Sequence, residues 1–272
     1  MPELPEVETV RRGLDQYLVG RRVDAAKVTG ARTVRASSAA AVETAAIGRV
    51  ITGTGRHGKW MWLSLDDDLV RLYIHLRMSG QLLWGPSSTA RRPHTHAVFT
   101  LGDDELRFVD PRTFGEIVPG PGGAPIASVA KQGPDALTLD TLGWRAVLAG
   151  RRTVLKTLIT DQQRIAGIGN IYADEICHRA GLRPARAADT LPGTAAERLG
   201  EATRGILSSS IAAGGSSLFD EQYVDLAGRP GRYQHEHRVH ARVGEPCGSC
   251  GTPVQRQTLA GRGTYWCSRC QK

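Results

Sequence analysis

The 272-residue chain has no apolar run approaching the about 20 residues needed to cross a bilayer. Its first ten residues, MPELPEVETV, lack the basic-then-apolar order of a secretory leader. A membrane or exported protein is therefore excluded as an expectation, and a cytoplasmic one stands in its place. Aromatic residues are few, at 6%, but hydrophobic residues reach 40% and charged residues 23%, so disorder is not expected either. Lysine is scarce, at five residues against thirty arginines, which makes the chemistry of each lysine worth asking about. Cysteine is scarcer than in a disulfide-stapled secreted domain, with five in the whole chain.

Four of those five are paired by spacing. Cys247-x2-Cys250 is followed, after sixteen residues, by Cys267-x2-Cys270, while Cys177 stands alone. Two such pairs read as a tetrahedral thiolate zinc site, structural because four thiolates leave no open position for chemistry. The competing reading, two disulfides, is disfavoured in a reducing compartment. The net charge of +8 is concentrated late: residues 226–272 hold eight Lys/Arg against two acids. Such a segment suits a polyanion, although charge by itself does not separate DNA from RNA or acidic lipid.

Hydrophobic spacing organises the rest. Val7, Val10, Leu14 and Leu18 lie three and four apart, predicting an amphipathic helix over 5–18 that ends at Gly20. Residues 22–118 then turn to short β-rich runs, among them Lys59–Leu65, Leu69–Met78, His96–Leu101 and Glu105–Val109, the pattern of a sandwich or barrel. The Pro/Gly-rich stretch 119–125 opens a linker. Helical texture returns over 139–162, broken near Gly150, over Asn170–Ala180, and over 194–213. Expected domains are 1–120, a linker at 121–135, a helical domain at 136–235, and a zinc module at 236–272.

Two places carry potential chemistry. The turn Gly167-Ile168-Gly169-Asn170 opens a helix, so its N–H groups can face an anion, with Lys156 and Asn170 as added donors. A tight helix-to-helix turn with no ligand fits the same residues. At the N-terminus, removal of Met1 would give Pro2 a free secondary amine, a nucleophile that forms a cationic iminium with a sugar aldehyde carbon. Glu3 and Glu6 are near enough in sequence to serve as general acid or base. A capped helix start with acids in its first turn is the plainer account.

Longer motifs decide between these. Pro2-Glu3-Leu4-Pro5-Glu6-Val7-Glu8, His75-Leu76-Arg77-Met78-Ser79-Gly80, Asp110-Pro111-Arg112-Thr113-Phe114-Gly115, Gly167-Ile168-Gly169-Asn170-Ile171-Tyr172-Ala173-Asp174-Glu175 and Gly261-Arg262-Gly263-Thr264-Tyr265-Trp266-Cys267 run the length of the chain. In this order they resemble the bacterial formamidopyrimidine-DNA glycosylases, the Fpg branch of the Fpg/Nei family. The resemblance implies an α+β multidomain fold: an N-terminal β-sandwich with flanking helices, a helix-two-turn-helix domain with a lesion-capping loop, and a C-terminal zinc finger hairpin. It implies excision of oxidised purines, 8-oxoguanine and formamidopyrimidines, from damaged double-stranded DNA, with strand cleavage by β,δ-elimination. A monomer with one structural zinc, working at the bacterial nucleoid, follows from the same likeness.

By that resemblance Pro2 attacks C1′, Glu3 is the acid/base partner, Glu6 supports the site, and Lys59 sits beside the lesion phosphates, where a flexible ammonium serves as a point charge. Asn170 and Arg262 grip the backbone, and Lys156 is a weaker phosphate ligand. Met78, Arg112 and Phe114 match the trio that fills the gap left by the flipped base, two apolar wedges and a donor for the estranged partner. The chain departs from the common pattern at His57, at Arg77 where glycine is frequent, and over 216–232, which leaves lesion preference open. His235, His237 and His240 are expected to be solvated or phosphate-facing. Competing expectations are a Nei-like enzyme for oxidised pyrimidines or unusual adducts, and a non-catalytic damaged-DNA binder.

Overall fold

In a computed structural model of the chain, residues 1–217 and 223–272 are described. The sequence 218–222, part of the expected lesion-capping loop, lies outside the described residues. The chain divides into two compact units, Met1–Ala130 with Ala213–Gln234, and Lys131–Ala212 with His235–Lys272. Residues 213–217 and 223–234, which the sequence reading attaches to the helical domain, therefore group with the first unit.

In the first unit, α1 (Leu4–Leu18) precedes β1 (Ala25–Val28), α2 (Ala39–Ala46), β2 (Ile51–His57), β3 (Trp60–Leu65), β4 (Val70–His75), β5 (Gln81–Pro86), β6 (Thr95–Leu101), β7 (Asp104–Val109), β8 (Glu116–Pro121) and the short α3 (Ala127–Ala130). The strands form antiparallel sheets of order β1-β6-β7-β5 and β2-β3-β4-β8. One buried cluster joins Leu63 and Leu72 of one sheet to Phe99 and Phe108 of the other, which makes the pair a sandwich. Val7, Val10, Leu14 and Leu18 enter the same cluster, so α1 lies along the core as its spacing predicts. Each buried aliphatic side chain there contributes about 1.5–3 kcal/mol. Gly20, at φ +88°, turns the chain after the helix.

Two local expectations differ. Ala39–Ala46 is a helix capped by Ser38, whose hydroxyl accepts the Ala41 N–H at 3.1 Å, within a stretch read as strands. Pro119, Gly120 and Pro121 are not linker but the end of β8, paired with Leu72, Arg71 and Val70. Proline is tolerated there because β8 is an edge strand.

In the second unit, α4 (Thr141–Leu148), α5 (Leu155–Ile159), α6 (Asn170–Arg179) and α7 (Ala195–Ala212) precede a hairpin of β9 (Gln255–Leu259) and β10 (Arg262–Trp266). Gly150, at φ +64°, lies in the break between α4 and α5. Ala260 and Gly261, at φ +46° and +75°, make a two-residue hairpin turn that puts Arg262 at its tip. Among the described residues, no helix is long and apolar enough to cross a membrane.

Candidate functional site

The N-terminal residues are built into the sandwich unit rather than trailing from it. Pro2 and Glu3 are buried, with Glu3 as the residue preceding α1. The Glu6 carboxylate holds this start in place: Oε2 accepts the Glu3 N–H at 2.8 Å, and Oε1 accepts the buried Ser216 N–H at 2.8 Å. Tyr223 donates its hydroxyl to the Gly214 carbonyl at 3.0 Å, and burial beside the Glu6 charge pushes its phenol well above the usual range. Glu6 thus joins the helix start to Ser216.

Lys59 occupies the turn between β2 and β3, after Gly58 at φ +56°, and is buried. Arg56 braces this turn, donating to Gly58 O at 3.0 Å and to Glu8 Oε2 at 3.1 Å. Glu8 also receives Arg11 and Arg12. Burial opposes its ionisation, but the guanidinium hydrogen bonds of Arg11 and Arg12 prevail and bring the carboxyl down to about 2. His75 is held neutral by burial and by the Arg77 and Lys59 charges, and its Nδ1 accepts the Arg77 N–H at 2.9 Å.

Met78 and Phe114 are 39% and 40% exposed, among several large apolar side chains that reach the surface. The Arg112 guanidinium lies 5.0 Å over the Phe114 ring. Arg77 adopts φ +53°, where glycine would be unstrained, and Thr113 in the second loop has φ +55°. The Arg77 side chain donates to Glu116 through Nε at 3.2 Å, a partner that glycine would lack.

In the second unit, the glycine turn is braced by a side chain that sequence reading passed over. Gln162 accepts the Gly167 N–H at 2.9 Å through Oε1 and donates to Ile168 O at 2.7 Å through Nε2. Asn170 opens α6, with its Oδ1 buried and without a hydrogen-bond partner among the described residues. Lys156 is placed differently from a phosphate ligand. It is 2% exposed, and its ammonium donates to Asp174 Oδ1 at 2.6 Å and to Gly263 O at 2.9 Å. His240 Nδ1 lies 2.8 Å from the other Asp174 oxygen. Glu175 accepts the backbone N–H groups of Arg238, Val239 and His240 at 2.8–3.0 Å. The solvated histidine cluster is corrected accordingly: His235 is exposed, but His237 and His240 are buried. Burial, with help from neighbouring positive groups, lowers His237 to about 3. Cys177 is a buried residue of α6.

The four remaining cysteines converge. Their Sγ atoms all lie within 4.8 Å of one another, with Cys247–Cys270 at 3.9 Å and Cys250–Cys267 at 3.4 Å. Tetrahedral zinc with bonds of about 2.3 Å needs sulfur atoms about 3.8 Å apart, so the set fits. Hydrogen bonds from Thr252 bring the Cys250 thiol down to about 6, while the hydrogen bond with Cys250 and burial push Cys270 up to about 12. His178 Nε2 lies 3.4 Å from Cys247 Sγ, the outer contact expected around such a ligand. Cys247, Cys250, Cys267 and Cys270 form a single structural zinc site.

Family models match in three blocks: the formamidopyrimidine-DNA glycosylase N-terminal domain over residues 1–117, the formamidopyrimidine-DNA glycosylase H2TH domain over 133–221, and a zinc finger found in FPG and IleRS over 244–272. Sandwich, helical modules and thiolate hairpin thus define a DNA glycosylase with a C-terminal zinc finger. The formamidopyrimidine-DNA glycosylase of Salinispora arenicola is 43% identical, covering 100% of this chain and 96% of its own, and that of Acidothermus cellulolyticus is 41% identical, covering 100% and 97%. The crystal structure of the MutM (Fpg) protein from Thermus thermophilus matches with a TM-score of 0.88 at 37% identity over 99% of this chain and 98% of that one. That of the Lactococcus lactis Fpg with DNA containing N7-benzyl-Fapy-dG matches with a TM-score of 0.91 at 32% identity over 100% of both. The chain belongs to the formamidopyrimidine-DNA glycosylase family.

Proposed function

We propose that the chain excises oxidised purines from double-stranded DNA and then cuts the strand at the resulting abasic site, with Pro2 as nucleophile. The observation that carries this reading is the fixed N-terminus: Pro2 and Glu3 are buried at the head of α1, and Glu6 fastens that head to Ser216. Catalysis by a terminal amine needs such fixing, because an orientation lost to fraying forfeits the advantage of proximity. Removal of Met1 frees the Pro2 nitrogen. The amine attacks C1′ of the damaged nucleotide as the glycosidic bond breaks, and the base departs with a proton. Glu3 acts as general acid/base while the sugar ring opens to the iminium, which then withdraws electrons for β- and δ-elimination of the two phosphates.

Base removal of this kind needs the nucleotide out of the stack. Met78, Arg112 and Phe114 fill the gap, and their exposure on two neighbouring loops supports that assignment. Lys59, Asn170 and Arg262 engage backbone phosphates, as does the zinc hairpin that presents Arg262. Lys156 acts indirectly, through its hold on Gly263. The domain bounds we adopt are those of the two compact units. The protein works as a monomer on nucleoid DNA in the cytoplasm.

Borohydride trapping tests the reading. Protein with its native N-terminus should form a covalent adduct at Pro2 with a duplex containing 8-oxoguanine, and Pro2→Gly should greatly reduce it. Glu3→Gln should block base excision more than DNA binding, whereas excision at the wild-type rate would remove its acid/base role. Trapping on an oxidised pyrimidine instead would move the substrate class, and no adduct on any duplex, with Met1 absent and zinc present, would leave a binder without catalysis.

A further inference from the structure

The two loops that carry Met78 and the Arg112/Phe114 pair are separated by thirty residues of sequence, yet they share one anchor. Asp110 is fully buried, and its carboxylate accepts three donors. Oδ1 takes the Ser79 hydroxyl at 2.6 Å and the Arg112 N–H at 3.2 Å, and Oδ2 takes the Gly115 N–H at 2.7 Å. Ser79 is the residue after Met78, whereas Arg112 and Gly115 bracket Phe114. A single carboxylate therefore fastens both sides of the wedge.

The same loops share a floor. A Cβ at Gly80 would lie 3.0 Å from Phe108 Cζ, and one at Gly115 would lie 2.5 Å from the same atom, so both backbones rest against one buried ring. The Asp110 backbone is itself fixed, donating to His94 O at 3.0 Å, with His96 Nε2 at 3.0 Å from its carbonyl. From outside, the Arg35 guanidinium reaches the carbonyls of Phe114 and of Gly115, the latter at 3.0 Å. Exposed apolar side chains gain nothing from staying exposed in the free protein, and a wedge that collapses against the surface must be lifted before it enters DNA. Anchoring backbone rather than side chain keeps the wedge presented while leaving its tips free to enter the stack.

We infer that Asp110, acting through Ser79, is a positioning residue that couples Met78 to Arg112 and Phe114, so that the three enter the duplex as one body. The inference rests on the proposed reading of those three as the gap-filling residues. Coupling of this kind speeds base extrusion and excision of a base still in the helix. It matters much less for cleavage at a preformed abasic site, where no base has to be displaced.

The experiment uses zinc-loaded full-length protein with a native N-terminus, under single-turnover conditions. The probes are a duplex with 8-oxoguanine beside a fluorescent base analogue and a duplex with an abasic site. Ser79→Ala, which deletes one donor from the carboxylate, should slow stack opening and 8-oxoguanine excision about 10-fold, equivalent to about 1.4 kcal/mol. Abasic-site cleavage should stay within about twofold of wild type. Met78→Ala should add little once Ser79 is already replaced, because neighbours acting as a unit are non-additive. Asp110→Asn should give the larger version of the same split, and Ser79→Ala keeps the test open if Asp110→Asn does not fold. Additive effects of Ser79→Ala and Met78→Ala, or equal slowing on both probes, would overturn the coupling. If Met78→Ala alone left excision at the wild-type rate, the gap-filling reading itself would fall, and if wild type trapped on neither duplex the proposed chemistry would fall with it.

Discussion

The ammonium of Lys156 is the buried charge whose removal of partner can be followed most directly. Asp174 is fully buried and supplies the anion opposite Lys156, whose ammonium also donates to the Gly263 carbonyl. Asp174→Asn keeps the shape and deletes the charge. Leaving a buried ion without its counter-charge costs about 3–5 kcal/mol, far more than the net worth of an intact pair. With a urea dependence of about 2–3 kcal/mol per molar, that cost shifts an unfolding midpoint down by about 1–2.5 M. The assay is urea unfolding of the zinc-loaded full chain, with hydrogen exchange in α6 and at residues 238–240 reporting the second unit. Lys156→Met combined with Asp174→Asn should recover most of the loss, since no ammonium then remains to be solvated. A single substitution that moved the midpoint by less than about 0.3 M would refute the reasoning. So would a double substitution as damaging as the single, because the cost would then have a source other than the stranded charge.

Two further outcomes follow from the other ionised groups. Cys250→Ser should release zinc and weaken DNA binding while leaving hydrogen exchange in α1 and the sandwich strands unchanged; a variant that still held one zinc per chain would contradict the site. Glu8 titrates at about 2 in the folded chain against 4.5 for the free group, so its stabilisation is present above about pH 4.5 and is lost as pH falls toward 2. Glu8→Gln should therefore flatten the stability-versus-pH curve over that window, and an unchanged slope would show that the arginines do not favour the ionised form.

Much of the architecture was legible because it is written in local patterns. The 3–4 spacing from Val7 to Leu18 predicted α1 to within a residue of its start, and the strand runs at 60–65 and 96–101 needed only β-rich residues and flanking turns. The zinc site was legible from spacing alone, since two Cys-x2-Cys knuckles leave few other arrangements for four thiolates. What failed was also physical. The helix at Ala39–Ala46 is mostly alanine and has a weak apolar face, so nothing periodic marked it among strands. The prolines at 119 and 121 signalled a break, and only the edge position of β8 lets them remain in a strand. Lys156 looked like a phosphate ligand because a lysine near a glycine turn suits one, but Asp174 lies eighteen residues away and its claim on the ammonium has no local signature.

The residues that orient the site were the hardest to see, and they share one chemistry. Glu6 gathers N–H groups from Glu3 and Ser216, Asp110 gathers donors from Ser79, Arg112 and Gly115, and Glu175 gathers three consecutive N–H groups from 238–240. An ionised carboxylate can accept several hydrogen bonds at once, so one buried side chain can fix segments that are far apart in sequence. Glu6 reaches 210 residues to Ser216, and Glu175 reaches 63 to Arg238. The carboxylates stand inside the motifs, whereas most of their partners are backbone groups that any residue type supplies. A motif therefore shows where an anchor is and leaves unstated what it holds. That division explains why the metal ligands, and the residues proposed as nucleophile and wedge, could be picked out by residue type, whereas the hold of Asp110 on the two loops needed the fold.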